Sequence, residues 1–198
     1  MEQQDIKRRA VIRFFDGEND EDIARLKRIV RSKGVRDWME DLKGMRRIHF
    51  EEWTEERGEA GHFLFAVCAR SDNEAGMTRP QGFIYFYPRE DRRGVLEVSY
   101  AKMPYGKRGL MSSALRQASM KAKRIRKKMG YKTKLKIVAE IDPENVSSER
   151  VIRGACFEDT GEKLGRRDVR YLWEINWRKL LRKMKEKGEM PVKKVRYR

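Results

Sequence analysis

Cysteine and histidine are nearly absent from this chain. Its 198 residues hold two of each, Cys68, Cys156, His49 and His62, set far apart. That spacing argues against a Cys/His metal site and against a disulfide framework, so no metal is expected. Both cysteines sit in apolar, strand-like segments, where a small buried thiol is the ordinary use. Long apolar runs are missing too. Nothing approaches the ~20 residues that span a bilayer, and Met1 to Arg8 lacks the apolar core of a signal peptide. The expectation is a cytoplasmic protein with no membrane contact. Acidic residues are short only in part of the chain. Residues 1–60 hold 14 Lys/Arg against 15 Asp/Glu, whereas residues 61–198 hold 34 against 16, which gives the net charge of +17.

What is present reads as one domain with a basic extension. Four Trp, eight Phe and seven Tyr supply enough large apolar surface to argue against wholesale disorder, and this length can bury a full core. The expected division is a domain over residues 1–177 and a basic helix or tail over 178–198. Ala10 to Phe15 reads as a first strand. Asp16 to Asp22 is an acidic turn suited to a helix N-terminus, and Ile23, Leu26, Ile29 and Val30 follow at helical spacing, with Gly34 as the stop. Trp38, Met39 and Leu42 suggest a second short helix, followed by an acidic loop or helix over Glu51 to Gly61. Further strands are expected at Phe63 to Ala69, Gly82 to Tyr87, Leu96 to Ala101, Leu135 to Ile141 and Tyr171 to Trp177. Helices are expected after Gly109, with Met111, Ala114, Leu115, Ala118, Ala122, Ile125 and Met129 on one face, and over Val146 to Arg153. Leu180, Leu181 and Met184 allow one more short amphipathic helix before Gly188.

The most informative stretch is Val98-Ser-Tyr-Ala-Lys-Met-Pro-Tyr-Gly-Lys-Arg-Gly-Leu-Met-Ser-Ser-Ala-Leu-Arg116. A strand runs into a glycine turn that opens a helix at once. The first N–H groups of such a helix have no intrahelical partner, and the helix dipole adds partial positive charge, so the place favours a phosphate or pyrophosphate. Glycine lets the backbone approach a ligand closely, and Lys107 and Arg108 add counter-charge. A strand-to-helix turn of this kind also occurs where nothing binds, and the turn alone does not separate the two readings.

A second segment does. Leu135-Lys-Ile-Val-Ala-Glu-Ile-Asp-Pro-Glu-Asn-Val-Ser-Ser148 is another strand, an Asp-Pro break and an Asn that opens a short helix ending near Gly154. The pair, in this order and at this separation, resembles the GNAT superfamily of acyl-CoA-dependent N-acetyltransferases. The wording of Gly109-Leu-Met-Ser-Ser-Ala-Leu115 and of Ala139-Glu-Ile-Asp-Pro-Glu-Asn145, with Ser148, Val151 and Phe157 following, is most similar to the branch that acetylates the α-amine of ribosomal proteins. The likeness spans about Phe63 to Trp177. It implies an α/β (α+β) GNAT fold: a mixed, twisted, mostly antiparallel sheet flanked by helices, with splayed central strands forming the acyl-CoA site. Four positions depart from the family pattern, one of them Cys156, which stands before Phe157 where Gly is common. Gly106 stands where Arg or Gln is usual, Met111 where Gly or Ala is usual, and Ile152 where a tyrosine often serves as proton donor.

The resemblance implies acetyl-CoA as co-substrate and a primary amine as acceptor, with direct attack of the amine on the thioester. Glu97 is the favoured base, because a protonated amine cannot attack; a structural ion pair is its other reading. Backbone N–H groups of Tyr100, Ala101 and Lys102 would polarise the acetyl carbonyl as an oxyanion hole does. Lys107, Arg108, Gly109, Leu110, Met111 and Ser112 form the implied pyrophosphate turn. Asn145 either caps its helix or contacts the pantetheine arm, and both can hold. Ser148, one turn on, lies near the cofactor sulfur in this branch and would support the leaving thiolate. His49 and His62 carry no motif.

A cofactor with a few phosphates does not explain all of the basic charge. Lys121 to Lys128 has six Lys/Arg, and Arg178 to Arg198 has ten with only Glu186 and Glu189 opposing. These read either as solvated surface or as an electrostatic footprint for nucleic acid, a ribosome or an acidic protein. The alternative function is therefore a catalytically inactive GNAT-fold module that binds RNA, DNA or a ribonucleoprotein. The acceptor and the oligomeric state have no signature here, although dimers are frequent in the superfamily.

Overall fold

Seven strands form one sheet in the order β1-β2-β3-β4-β5-β7-β6. The elements are β1 (Ala10–Phe14), α1 (Asp20–Arg31), β2 (Phe63–Ala69), β3 (Gly82–Pro88), β4 (Val95–Lys102), α2 (Leu110–Lys128), β5 (Lys136–Ile141), α3 (Val146–Gly154), β6 (Phe157–Leu164), β7 (Arg170–Ile175) and α4 (Trp177–Glu186). The computed structural model describes residues 10–32, 35, 62–69, 79–89, 91–103, 109–128, 130, 134–165 and 169–189. The helix expected near Trp38 to Leu42, the acidic segment 51–61, His49, Gly106, Lys107, Arg108, Met129 and residues 191–198 lie outside the described residues.

Every strand pair is antiparallel except β4–β5, which is parallel and is joined through α2. Alternation divides each strand between two faces. On one face Phe65, Val67, Ile84, Phe86, Leu96, Val98, Ile137 and Ala139 pack against α2, α3 and α4. On the other, Phe83, Tyr85 and Ala101 pack against Ile23, Leu26, Ile29 and Val30 of α1. α2 buries Leu110, Met111, Ala114, Leu115, Ala118 and Ala122, a stripe at helical spacing. The sheet and helices form the GNAT arrangement, a mostly antiparallel sheet flanked by four helices among the described residues.

Local signals fix the helix starts. Asn19 caps α1, its Oδ1 accepting from the Glu21 and Asp22 amides at 3.0 and 3.2 Å. The fully buried Asp22 pairs bidentately with Arg13 of β1 and accepts from the Asp16 amide at 3.2 Å. The start of α1 is thereby tied to the sheet. β7 ends two residues before the expected Trp177. Asn176 accepts from the Lys179 amide and caps α4, so Trp177 is the first residue of a helix rather than the last of a strand. Leu180 and Met184 enter the same core as α2. β6 is polar and lies at the sheet edge, where charged side chains discourage pairing with another chain.

A candidate active site where two strands part

β4 and β5 pair over only three registers, Val95↔Lys136, Leu96↔Ile137 and Glu97↔Val138. Beyond Glu97 the strands separate: β4 continues beside β3 to Lys102, while β5 from Val138 to Ile141 pairs with β7. The β4–β3 ladder runs in unbroken register. The Arg89 amide donates to the Val95 carbonyl at 3.1 Å and the Met103 amide to the Gln81 carbonyl at 2.8 Å. Odd-numbered residues of β4 therefore turn their backbone groups toward β3. The amides of Tyr100 and Lys102 point the other way, into the opening, where β5 offers no register partner. Ala101, between them, is bonded on the β3 side and buried.

The N-termini of α2 and α3 flank this opening. Gly109 precedes α2 at φ +78°, and a Cβ built there would meet nothing within 4 Å. The turn thus needs glycine for its backbone, and among the described residues nothing crowds that position. The first intrahelical bond of α2 runs from the Ser113 amide to the Gly109 carbonyl at 3.1 Å, which leaves the amides of Leu110, Met111 and Ser112 without intrahelical acceptors. These donors fit a pyrophosphate. The side chains serve elsewhere. Leu110 and Met111 are buried, and the Met111 methyl lies 2.8 Å from where a Cβ on Gly82 would stand. The bulk of Met111, unusual for the family, is therefore matched by a missing side chain on β3. The Ser112 hydroxyl donates to the Val151 carbonyl at 3.0 Å. The Arg116 guanidinium donates to the Gly154 carbonyl at 2.7 Å. Together they occupy end-of-helix acceptors of α3 and lock it to α2.

At the start of α3, the Asn145 side chain accepts from the Ser148 amide at 3.0 Å and from the Ser147 hydroxyl at 3.0 Å. The capping role is present. The Ser148 carbonyl accepts from the Tyr100 phenol at 3.0 Å. This bond joins β4 to α3 across the opening, and burial pushes the phenol well above its ordinary pKa. No local pattern in the sequence signals this bond, because the resemblance implies a role for the Tyr100 backbone alone. Ile152, where a tyrosine is common in the family, is fully buried in the core.

Glu97 lies at the last paired register of β4 and β5 and, by alternation, on the α1 face of the sheet. The Tyr87 phenol donates to its Oε1 at 2.5 Å and Arg89 to its Oε2 at 3.3 Å. Arg89 also reaches Asp91 at 2.8 Å and Glu140 at 2.6 Å. Those carboxylates, Asp91 first, raise its pKa and keep it charged. Tyr87 stacks on Tyr85 with centroids 5.1 Å apart, and His62 bonds the Tyr85 hydroxyl. Glu97 is thus both a member of an ion-pair network and a carboxylate at the fork. The structure places Tyr100 and Ser148 together on the α3 side and Glu97 on the other. Among the described residues no group of three or more Cys, His, Asp or Glu is arranged to hold a metal, and no helix is long and apolar enough to cross a membrane.

A splayed strand pair with a glycine turn and two helix N-termini at its mouth is an acyl-CoA acetyltransferase arrangement. The family model described as an acetyltransferase (GNAT) domain matches residues 9–158, and the chain belongs to that family. Similar solved structures agree on the fold. An aminoglycoside acetyltransferase, AAC(6')-Ib, solved with paromomycin and acetyl-CoA, has a TM-score of 0.62 at 14% identity, covering 88% of this chain and 96% of that one. A GNAT-family acetyltransferase from Bacillus anthracis has a TM-score of 0.58 at 20% identity, covering 84% and 94%. A spermidine N-acetyltransferase chimera of Vibrio cholerae SpeG and hSSAT has a TM-score of 0.60 at 15% identity, covering 87% and 98%. A search of curated proteins found no match.

Proposed function

We propose that this GNAT domain transfers an acetyl group from acetyl-CoA to a primary amine by direct attack. The parting of β4 and β5 beyond Glu97 carries the reading, with two β4 amides and three α2 amides around it that have no partner among the described residues. Acetyl-CoA, when bound, supplies a thioester whose carbonyl carbon is open to a neutral amine. The amides of Leu110, Met111 and Ser112 hold the pyrophosphate, with Lys107 and Arg108 adjacent in sequence. The Tyr100 and Lys102 amides donate to the acetyl oxygen and stabilise charge that develops there. Glu97 takes the proton from the amine, directly or through water, held in place by Tyr87 and Arg89. Ser148 stands at the α3 side to support the thiolate, and Tyr100 fixes that helix start at its working distance from β4. Asn145 keeps the first turn of α3 formed and meets the pantetheine arm.

The acceptor class rests on the resemblance to the branch that acetylates ribosomal-protein α-amines, and on structural neighbours named for aminoglycoside and spermidine acetylation. An aminoacyl-tRNA and a small amine offer the same nucleophile. Labelled acetyl-CoA added to cell extract, then separated into protein, RNA and small-molecule fractions, identifies which one is modified. Calorimetric titration with acetyl-CoA tests the site itself: absence of binding at millimolar ligand by folded protein defeats the proposal. Glu97→Gln is expected to keep that binding and lower kcat by about 10²–10⁴-fold. Unchanged turnover removes only the base assignment. An inactive module is not favoured, because the unpaired amides are in place.

A further inference from the structure

The structure brings the two basic clusters together. Lys123 of α2 sits over the Trp177 ring at 4.2 Å, and Arg116 of α2 bonds Glu189, just past the end of α4, at 2.7 Å. These two contacts set α4 beside α2, running the opposite way, from Lys123 back toward Arg116. Lys123, Arg124 and Lys127 of α2 are exposed, as are Arg178 and Lys185 of α4. α2 has no acidic residue along its length, and α4 has only Glu186. Some charges are already engaged. Lys179 pairs with Glu158 at 3.1 Å and Arg182 with Glu186 at 3.8 Å. The helix dipole favours the cations of the last turn of α2, but not Lys123 and Arg124 a turn earlier, nor those at the start of α4.

Acetyl-CoA does not call for this surface. At 1.5 Å rise per residue, Lys127 lies about 25 Å along α2 from Leu110, where the pyrophosphate donors are. Burial against the Trp177 ring and, after it, neighbouring Lys134 lower the Lys123 ammonium below its ordinary pKa. A predominantly basic surface whose α2 charges lie far from the pyrophosphate donors matches a partner of dense opposite charge.

We infer that the α2–α4 surface is a docking site for the phosphate backbone of a nucleic acid, with its α2 charges at the end of that helix away from Leu110. Nucleic acid fits better than an acidic protein because, Leu181 apart, the large apolar side chains of α2 and α4 are not among the exposed ones, and phosphate contacts need only charge. The inference goes beyond acetyl transfer and does not depend on it.

The test is fluorescence anisotropy of a short labelled single-stranded RNA, and of the DNA of the same sequence, with the full chain. Binding is expected at low salt, with log K falling by roughly 0.7 per log unit of salt for each phosphate contact. The triple variant Arg124→Gln, Lys127→Gln, Arg178→Gln should reduce the slope by about 2. Acetyl-CoA affinity, measured by calorimetry, should stay unchanged and report that the variant folds. The RNA and DNA arms show which backbone is preferred. No binding at low salt, a slope unchanged in the triple variant, or polyglutamate competing as well as RNA would each overturn the inference.

Discussion

The Tyr100 phenol donates to the Ser148 carbonyl at 3.0 Å and is the bolt between the strand and the helix that face each other across the open site. Removing it in Tyr100→Phe is expected to cost about 1 kcal/mol of stability, the usual net value of such a bond. The pH dependence gives a second signature. Burial raises the phenol above its ordinary 10.0. Above that pH the unfolded chain releases a proton that the folded chain still holds, so stability falls as pH rises. The Phe variant lacks this contribution. Tm measured from about pH 9 to 11 should therefore fall more steeply in the wild type; parallel curves would show that the phenol is not held as described.

The Arg116–Glu189 pair is nearly out of solvent, with 5% of each side chain exposed. Glu189→Ala leaves Arg116 buried with a bond to Gly154 but no counter-ion. We expect a loss of about 3–5 kcal/mol in urea denaturation. A chain ending after Glu189 should be as stable as the full one. A chain ending at Trp177 also loses Leu180 and Met184 from the core and should not unfold cooperatively. Equal stability of the two truncations would mean α4 is a passive appendage.

Two glycines near the site should respond differently to alanine. Gly109→Ala meets no atom within 4 Å but must hold φ +78°, which costs about 1–2 kcal/mol. Gly82→Ala puts a Cβ 2.6 Å from the Ala101 carbonyl and 2.8 Å from the Met111 methyl. Backbone must move, at a cost of roughly 1–3 kcal/mol for overpacking, and the β3–β4 spacing changes with it. Met111→Ala should rescue part of the Gly82→Ala loss and none of the Gly109→Ala loss. Denaturation of the two double variants reads this directly.

Asn145→Ala removes the α3 cap, worth about 1 kcal/mol. Asn145→Asp keeps an equivalent cap and adds negative charge. If Asn145 also meets the cofactor, the Asp variant will keep its Tm and bind acetyl-CoA more weakly. Unchanged affinity in calorimetry would leave the residue with capping alone.

Most of the fold was legible in the sequence. The apolar run Phe63–Ala69 and the helical stripe after Gly109 set those elements within a residue or two of the observed limits. Trp177 reads as strand because a large aromatic after Tyr171 and Trp173 continues the pattern, whereas the Asn176 cap opens a helix there. The order βααβββαβαββ implied by the resemblance holds two strands after α3, but Phe157–Leu164 has no apolar alternation to mark β6 by its residues; an exposed edge strand needs none. The site was less legible, for a different reason. Its donors are backbone amides, which any residue type supplies. The partners of Glu97 come from the β3–β4 register, and Arg116 and Glu189 stand 73 positions apart, beyond any local pattern.

The three-register seam between β4 and β5 gives the sheet an edge in its interior. Amide hydrogen exchange should expose it as a two-residue beat along one strand. Tyr100 and Lys102 should exchange quickly while Ser99 and Ala101, bonded to β3, are protected. Filling the opening should slow the fast pair and leave the others as they were, so that a single strand reports occupancy of the site residue by residue.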